Sequence, residues 1–194
     1  MRIVTFVSLI TVLSCVCVRA AEAQDSIAHA QQLVGKVLAY DIQAMGQAMP
    51  YRFTIVRLAS PSLIAWVDPQ GNTGWLKMDG SSLAEGTYSF WQQPYAGDTT
   101  TTAGGQTVLC ISRKAYQELL QAGKTSFDSQ TFLRKADTSY AVSGKQLPVL
   151  HAVANETGTE IWILKDAEFP LLIATAHAPS GIDANLAGIE EQTH

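Results

Sequence analysis

The chain has 194 residues, 47% of them hydrophobic and 15% charged, with a formal net charge of −4 at pH 7. Its charges are scattered without a basic block or stripe, so the sequence gives no basis for nucleic-acid binding through phosphate neutralisation. The length suits one sizeable core in one domain.

Residues 1–23 predict a cleavable secretory signal. Arg2 supplies a positive start, Ile3 to Val18 an apolar run, and Ala21-Glu22-Ala23 a small-x-small cleavage pattern ahead of Gln24. The run is shorter than the about 20 apolar residues of a membrane span. A looser pattern, Val12-Leu13-Ser14-Cys15, makes a lipid anchor on Cys15 the second choice, and an uncleaved N-terminal anchor is a further alternative. No later segment is long and apolar enough to span a bilayer. The expected mature chain is therefore 24–194, a single β-rich globular domain, periplasmic or secreted. Losing Arg2, Arg19 and Glu22 takes the net charge to −5. Cys15 and Cys17 leave too, and Cys110 alone cannot form an intramolecular disulfide.

Asp25 to Val34 predicts a short helix, with Asp25 or Ser26 as N-cap and Gly35 just past its end. Strand periodicity follows in Val37–Ile42 and Tyr51–Leu58, with 43–50 between them as a connection. Leu63–Val67 and Trp75–Met78 flank Asp68-Pro69-Gln70-Gly71, a hairpin signal with a mechanism. Pro69 presets φ and Gly71 accepts a positive one. Asp79-Gly80 predicts a turn and Thr87–Trp91 another strand. Residues 94–106, rich in Gly and Thr, lack periodicity and predict a mobile loop, either a functional flap or a disordered segment.

Thr107-Val-Leu-Cys-Ile-Ser112 predicts a strand turning into a helix over Arg113–Ala122. Ser112 is placed as N-cap, Gly123 at the C-terminal end, and Tyr116, Leu119 and Leu120 against a sheet. Short strands are expected at 131–134 and 139–142. A meander follows through 147–154, 159–164 and 171–176, and 182–189 is ambiguous between strand and helix. The expected class is mainly β, an antiparallel sandwich or half-barrel with one or two short peripheral helices.

The corner at residues 110–112 raises the question of catalysis. A cysteine nucleophile needs a base, a cation or a helix N-terminus to lower its pKa. Cys110 has Arg113 and Lys114 nearby in sequence, and His151 is available as a base. The opposing reading places Cys110 in the core, where free cysteine behaves as a small hydrophobe. Ser112 lacks the flanking glycines of a nucleophile elbow: the residues two either side are Cys110 and Lys114.

His29, His151, His177 and His194 have no metal-ligand spacing, though His151 and His177 could meet on adjacent strands. Asp68, Asp79, Asp98 and Asp137 fall in turns, and no phosphate-binding glycine motif is present, so no metal and no cofactor are called for. Trp66, Trp75, Trp91 and Trp162 are the candidate ligand-binding residues, with Tyr51, Phe53, Tyr88 and Phe90 beside them in strands. They suit a groove for an acyl chain, a glycan or a peptide, and equally the core of a sheet. The preferred expectation is an exported, non-catalytic envelope binding or structural component, its partner a small apolar ligand or an envelope protein. The alternative is a hydrolase using Cys110 with His151.

Overall fold

A computed structural model describes residues 31–192. The expected signal segment, Cys15, His29, His194 and most of the helix expected over 25–34 lie outside the described residues. Residues 31–33 are helical, and Gly35 leaves them with φ +78°.

The first strands form a meander: β1 (Lys36–Ala44), β2 (Gln47–Arg57), β3 (Ser62–Val67) and β4 (Thr73–Met78). Alternate residues along them (Leu38, Tyr40, Phe53, Ile55, Ile64 and Trp66) are buried in one core, as a period of two requires. The connection expected over 43–50 is corrected to a two-residue turn at Met45-Gly46, with paired strand on either side. Both turn residues have positive φ, 52° and 78°, the geometry that matches strand twist in a tight hairpin. Between β3 and β4, Asp68 organises the turn. Its carboxylate accepts from the Gln70 and Asn72 amides and from the Asn72 side chain.

Two sequence expectations change after β4. Asp79 does not turn the chain freely; it caps the helix α1 (Gly80–Glu85), its carboxylate accepting from Ser82 N at 2.7 Å. The expected strand at 87–91 shrinks to β5 (Tyr88–Ser89), paired in parallel with β7 (Gln106–Thr107). The expected mobile loop over 94–106 is instead partly a strand. Within it β6 (Thr99–Thr101) runs parallel to β4 along the sheet edge. Three consecutive β-branched threonines suit that role. Trp75 N→Asp98 O and Thr102 N→Lys77 O fasten its two ends.

Helix α2 (Arg113–Ala122) is bounded as its sequence predicts. Ser112 accepts from Ala115 N, and Gly123 closes the helix with φ +69°. Arg113, unfavourable at a helix N-terminus, is spent on Glu168, bonding its carbonyl and its carboxylate. Tyr116 and Leu119 are buried, but Leu120 is 37% exposed. That corrects its expected place: one residue past Leu119 is 100° further round the helix, beyond the buried stripe.

The rest is strand: β8 (Lys124–Phe127), β9 (Gln130–Arg134), β10 (Thr138–Val142), β11 (Lys145–Ala154), β12 (Glu160–Leu164), β13 (Leu172–Ala176) and β14 (Ile182–Glu191). The ambiguous tail is β14, and it is central. It bridges β13 to β1 and so joins the C-terminal meander to the N-terminal one. The result is mainly β: one open twelve-stranded sheet, in the order β6-β4-β3-β2-β1-β14-β13-β12-β11-β9-β8, with β10 paired to β11. Only the β4–β6 pair within it is parallel. Its core falls into two clusters. One spans β1–β4 and includes Cys110 and Phe169. The other is capped by α2, whose Ala115, Tyr116 and Leu119 meet Phe132, Leu150 and Ile163.

Candidate functional site

The open sheet leaves a cavity of about 390 Å³. One side is aromatic. Tyr40 and Phe53 meet edge to face at 5.8 Å, and Tyr51 stacks on Phe53 at 5.9 Å. Leu172 on β13 and Ala184 on β14 continue that wall. The other side comes from outside the main sheet, from Phe90, Trp91 and Pro94 with Val108 and Leu109. A second cavity of about 230 Å³ shares Ser89 and Trp91, and Leu172 and Thr175 of β13, with the first, so the 89–91 segment forms a strap over the wall between the two.

The strap is tied down from β8 and its turn. Asp128 accepts from Ser89 N at 2.6 Å and donates its own amide to Thr87 O at 2.8 Å. The Trp91 side chain is near enough to favour the ionised Asp128 carboxyl. Burial pushes that carboxyl above its ordinary range, and Ser89 and Trp91 offset only part of the shift. Beneath the strap, Thr107 Oγ1 donates to Cys110 O at 2.6 Å, and Leu172 N donates to Leu109 O at 2.8 Å. Leu109 has φ +58°, a conformation that costs a non-glycine residue about 1 kcal/mol or more. The chain holds that strain beside the cavity.

Among the described residues, none with a charged side chain lines the cavity of about 390 Å³. Tyr40 spends its buried hydroxyl on Leu172 O at 2.6 Å. Burial, and then the proximity of Cys110, hold that hydroxyl far above its usual pKa, so it stays a neutral donor. The cavity can therefore enclose an apolar body, but its walls bring no ionised acid, base or nucleophile to it.

The four tryptophans do not converge. Trp91 alone lines the cavity. Trp66 is 2% exposed in the core, and Trp75 is 41% exposed. Trp162 lies against His151 and Tyr140, ring centroids 4.8 and 5.8 Å away. Of the aromatics read beside the tryptophans, Tyr51, Phe53 and Phe90 line the cavity and Tyr88 does not; sequence reasoning missed Tyr40 and Leu172. Period-two alternation marks Tyr40 and Tyr51 as inward-facing but cannot separate core from cavity.

Cys110 and His151 are likewise not brought together as a reactive pair. Cys110 is fully buried, paired by backbone with Leu171, and burial pushes its thiol far up against the weaker pull of the Val108 amide and Arg113. His151 pairs with Trp162 across β11 and β12, and its Nε2 lies 2.7 Å from Glu160 Oε2. The imagined His151–His177 meeting is also corrected: β12 runs between β11 and β13, and His177 follows β13 in a left-handed turn, φ +60°. Among the described residues, no group of three or more His, Cys, Asp or Glu is placed to hold a metal ion.

No protein-family model matches the chain, and no curated protein matches it in sequence. Function has to be argued from the chemistry of the site itself. Among the described residues no helix is long and apolar enough to cross a membrane.

Proposed function

We propose that this is an exported, non-catalytic binding protein of the cell envelope or extracellular space that carries one small apolar ligand in the cavity beneath the strap. The observation that carries this reading is the cavity itself: about 390 Å³, walled by aromatic and aliphatic side chains and free of charged ones among the described residues. Concave, largely apolar sites of about 300–1,000 Å³ are what small-molecule binding uses. Export rests on the arrangement of Arg2, the Ile3–Val18 run and Ala21-Glu22-Ala23.

Native purification from the protein's own compartment, followed by mass spectrometry of the intact protein and of a solvent extract, tests both parts. The expected result is a chain beginning at Gln24 that releases one small apolar molecule. Ala44→Trp, which fills the cavity from the end of β1, should abolish that molecule and leave the thermal transition in place. A natively folded protein that is empty and takes up no 1-aminoanthracene refutes the carrier reading. A chain that retains residues 1–23 refutes the processing.

A further inference from the structure

The mouth of the cavity narrows the ligand class, and this step rests on the carrier reading above. We propose that the site selects an uncharged amphiphile, a medium-length apolar body ending in a hydroxyl, amide or ester, and rejects the corresponding carboxylate or ammonium.

Three observations carry this. The first is size. At about 30 Å³ per heavy atom, the share of a water molecule in the liquid, the space holds roughly a dozen non-hydrogen atoms. The second is the polar groups at the rim. Gln70, on the β3–β4 turn, and Gln93, two residues past the strap, are exposed and both line the cavity. Neither side-chain amide makes a hydrogen bond with any described residue. Each can donate and accept, which suits a neutral head group and gives no net charge to hold an ion.

The third is how Asp68 and Asp128 are held. Asp68 sits beside Tyr51; burial first and then that negative charge raise the Tyr51 hydroxyl above its ordinary pKa. An anionic head at this mouth would meet the same repulsion. A cationic head would be drawn by that same charge, but Asp68 does not line the cavity and its oxygens already accept from Gln70 N, Asn72 N and the Asn72 side chain, so no direct ion pair replaces the lost hydration. Asp128 lines the cavity of about 230 Å³, where Ser89 N donates to its carboxyl at 2.6 Å. Either ion would enter an apolar space without a counter-charge, a cost that burial of unpaired charge makes large.

The test is displacement of 1-aminoanthracene from the mature protein at neutral pH by decan-1-ol, decanoate and decylamine. Decan-1-ol should compete at least about tenfold more strongly than either ion. The double variant Gln70→Lys/Gln93→Lys, changed only at exposed positions, should reverse the order of decan-1-ol and decanoate. If either ion displaces the probe as well as decan-1-ol, the neutral-ligand inference falls while the cavity reading stands. If the probe never binds, both fall together.

Discussion

His151 lies flat against Trp162, ring centroids 4.8 Å apart and planes 4° from parallel. The two are direct cross-strand partners on β11 and β12, and Tyr140 tilts onto the same indole at 5.8 Å while its hydroxyl donates to Asn185 Oδ1 at 2.7 Å. A ladder of rings thus ties β10 to β12 and, through Asn185, to β14. The imidazole is a structural member of that ladder. Trp162→Ala should cost about 2 kcal/mol, roughly half the loss of a fully buried tryptophan, because Trp162 is only partly buried. His151→Phe keeps the stack and should shift stability by no more than about 0.5 kcal/mol. Urea unfolding of both variants separates packing from any need for the ring nitrogens.

A chain of residues 24–194, whose one cysteine is Cys110, should not react with Ellman's reagent while folded. Cys110 is fully buried and its thiol is held in the neutral form by burial, which removes both access and nucleophilicity. Labelling should appear at the midpoint of urea unfolding. Rapid stoichiometric labelling of the native state would reopen the hydrolase reading and contradict the buried position of the sulfur.

Part of this architecture is written in residue types. Asp68-Pro69-Gln70-Gly71 announces its hairpin, and Ser112 and Gly123 announce both ends of α2, because each residue acts on backbone within four positions of itself. Other turns carry no such mark. Met45, Leu109, Asp128 and Ser129 all take positive φ, yet Met and Leu have no intrinsic reason to do so. Surrounding pairing imposes the geometry. The cavity is only partly legible for a related reason: Trp91, Tyr51, Phe53 and Phe90 stand out as aromatics, but Tyr40 and Leu172 are scattered along the chain, and the β1–β14–β13 pairing and the Asp128 tie bring them together.

Removing that tie should loosen the strap without unfolding the sheet. Asp128→Ala deletes the acceptor used by Ser89 N. Amide hydrogen exchange should accelerate over residues 86–94 and remain protected in β1 and β14. Release of 1-aminoanthracene should quicken by roughly tenfold, the kinetic equivalent of about 1.4 kcal/mol. Asp128→Asn, which can still accept from Ser89 N, should restore most of the protection.

Acid should weaken the junction around Asp137. Burial tends to raise its carboxyl, but Lys165 and Arg134, at 2.6 and 2.8 Å, outweigh this and hold it below the ordinary carboxylate value. A depressed folded-state pKa stabilises the protein above the unfolded value, and the contribution disappears as pH falls through the folded one. Wild type should therefore lose stability relative to Asp137→Asn across that acidic interval, with the two curves parallel near neutrality. Paired urea titrations against pH measure the difference directly.

Gly74 is required by Trp66, its partner across the β3–β4 hairpin. A Cβ on Gly74 would sit 2.9 Å from Trp66 Nε1 and Cζ2 and 2.9 Å from Asp98 O. The indole is 2% exposed, and the Asp98 carbonyl is fixed by accepting from Trp75 N at 3.0 Å. Neither neighbour is the free end of a flexible chain, so the strand must shift. Gly74→Ala should cost about 1–3 kcal/mol, the range for overpacking a filled core. Gly104→Ala, where an added Cβ meets nothing within 4 Å, is the matched control and should be nearly neutral. Gly74→Ala should also free β6 from the sheet edge, because the Asp98 carbonyl it displaces is what seats Thr99–Thr101 against β4. Faster hydrogen exchange at 99–102 in that variant alone would distinguish this local displacement from general destabilisation.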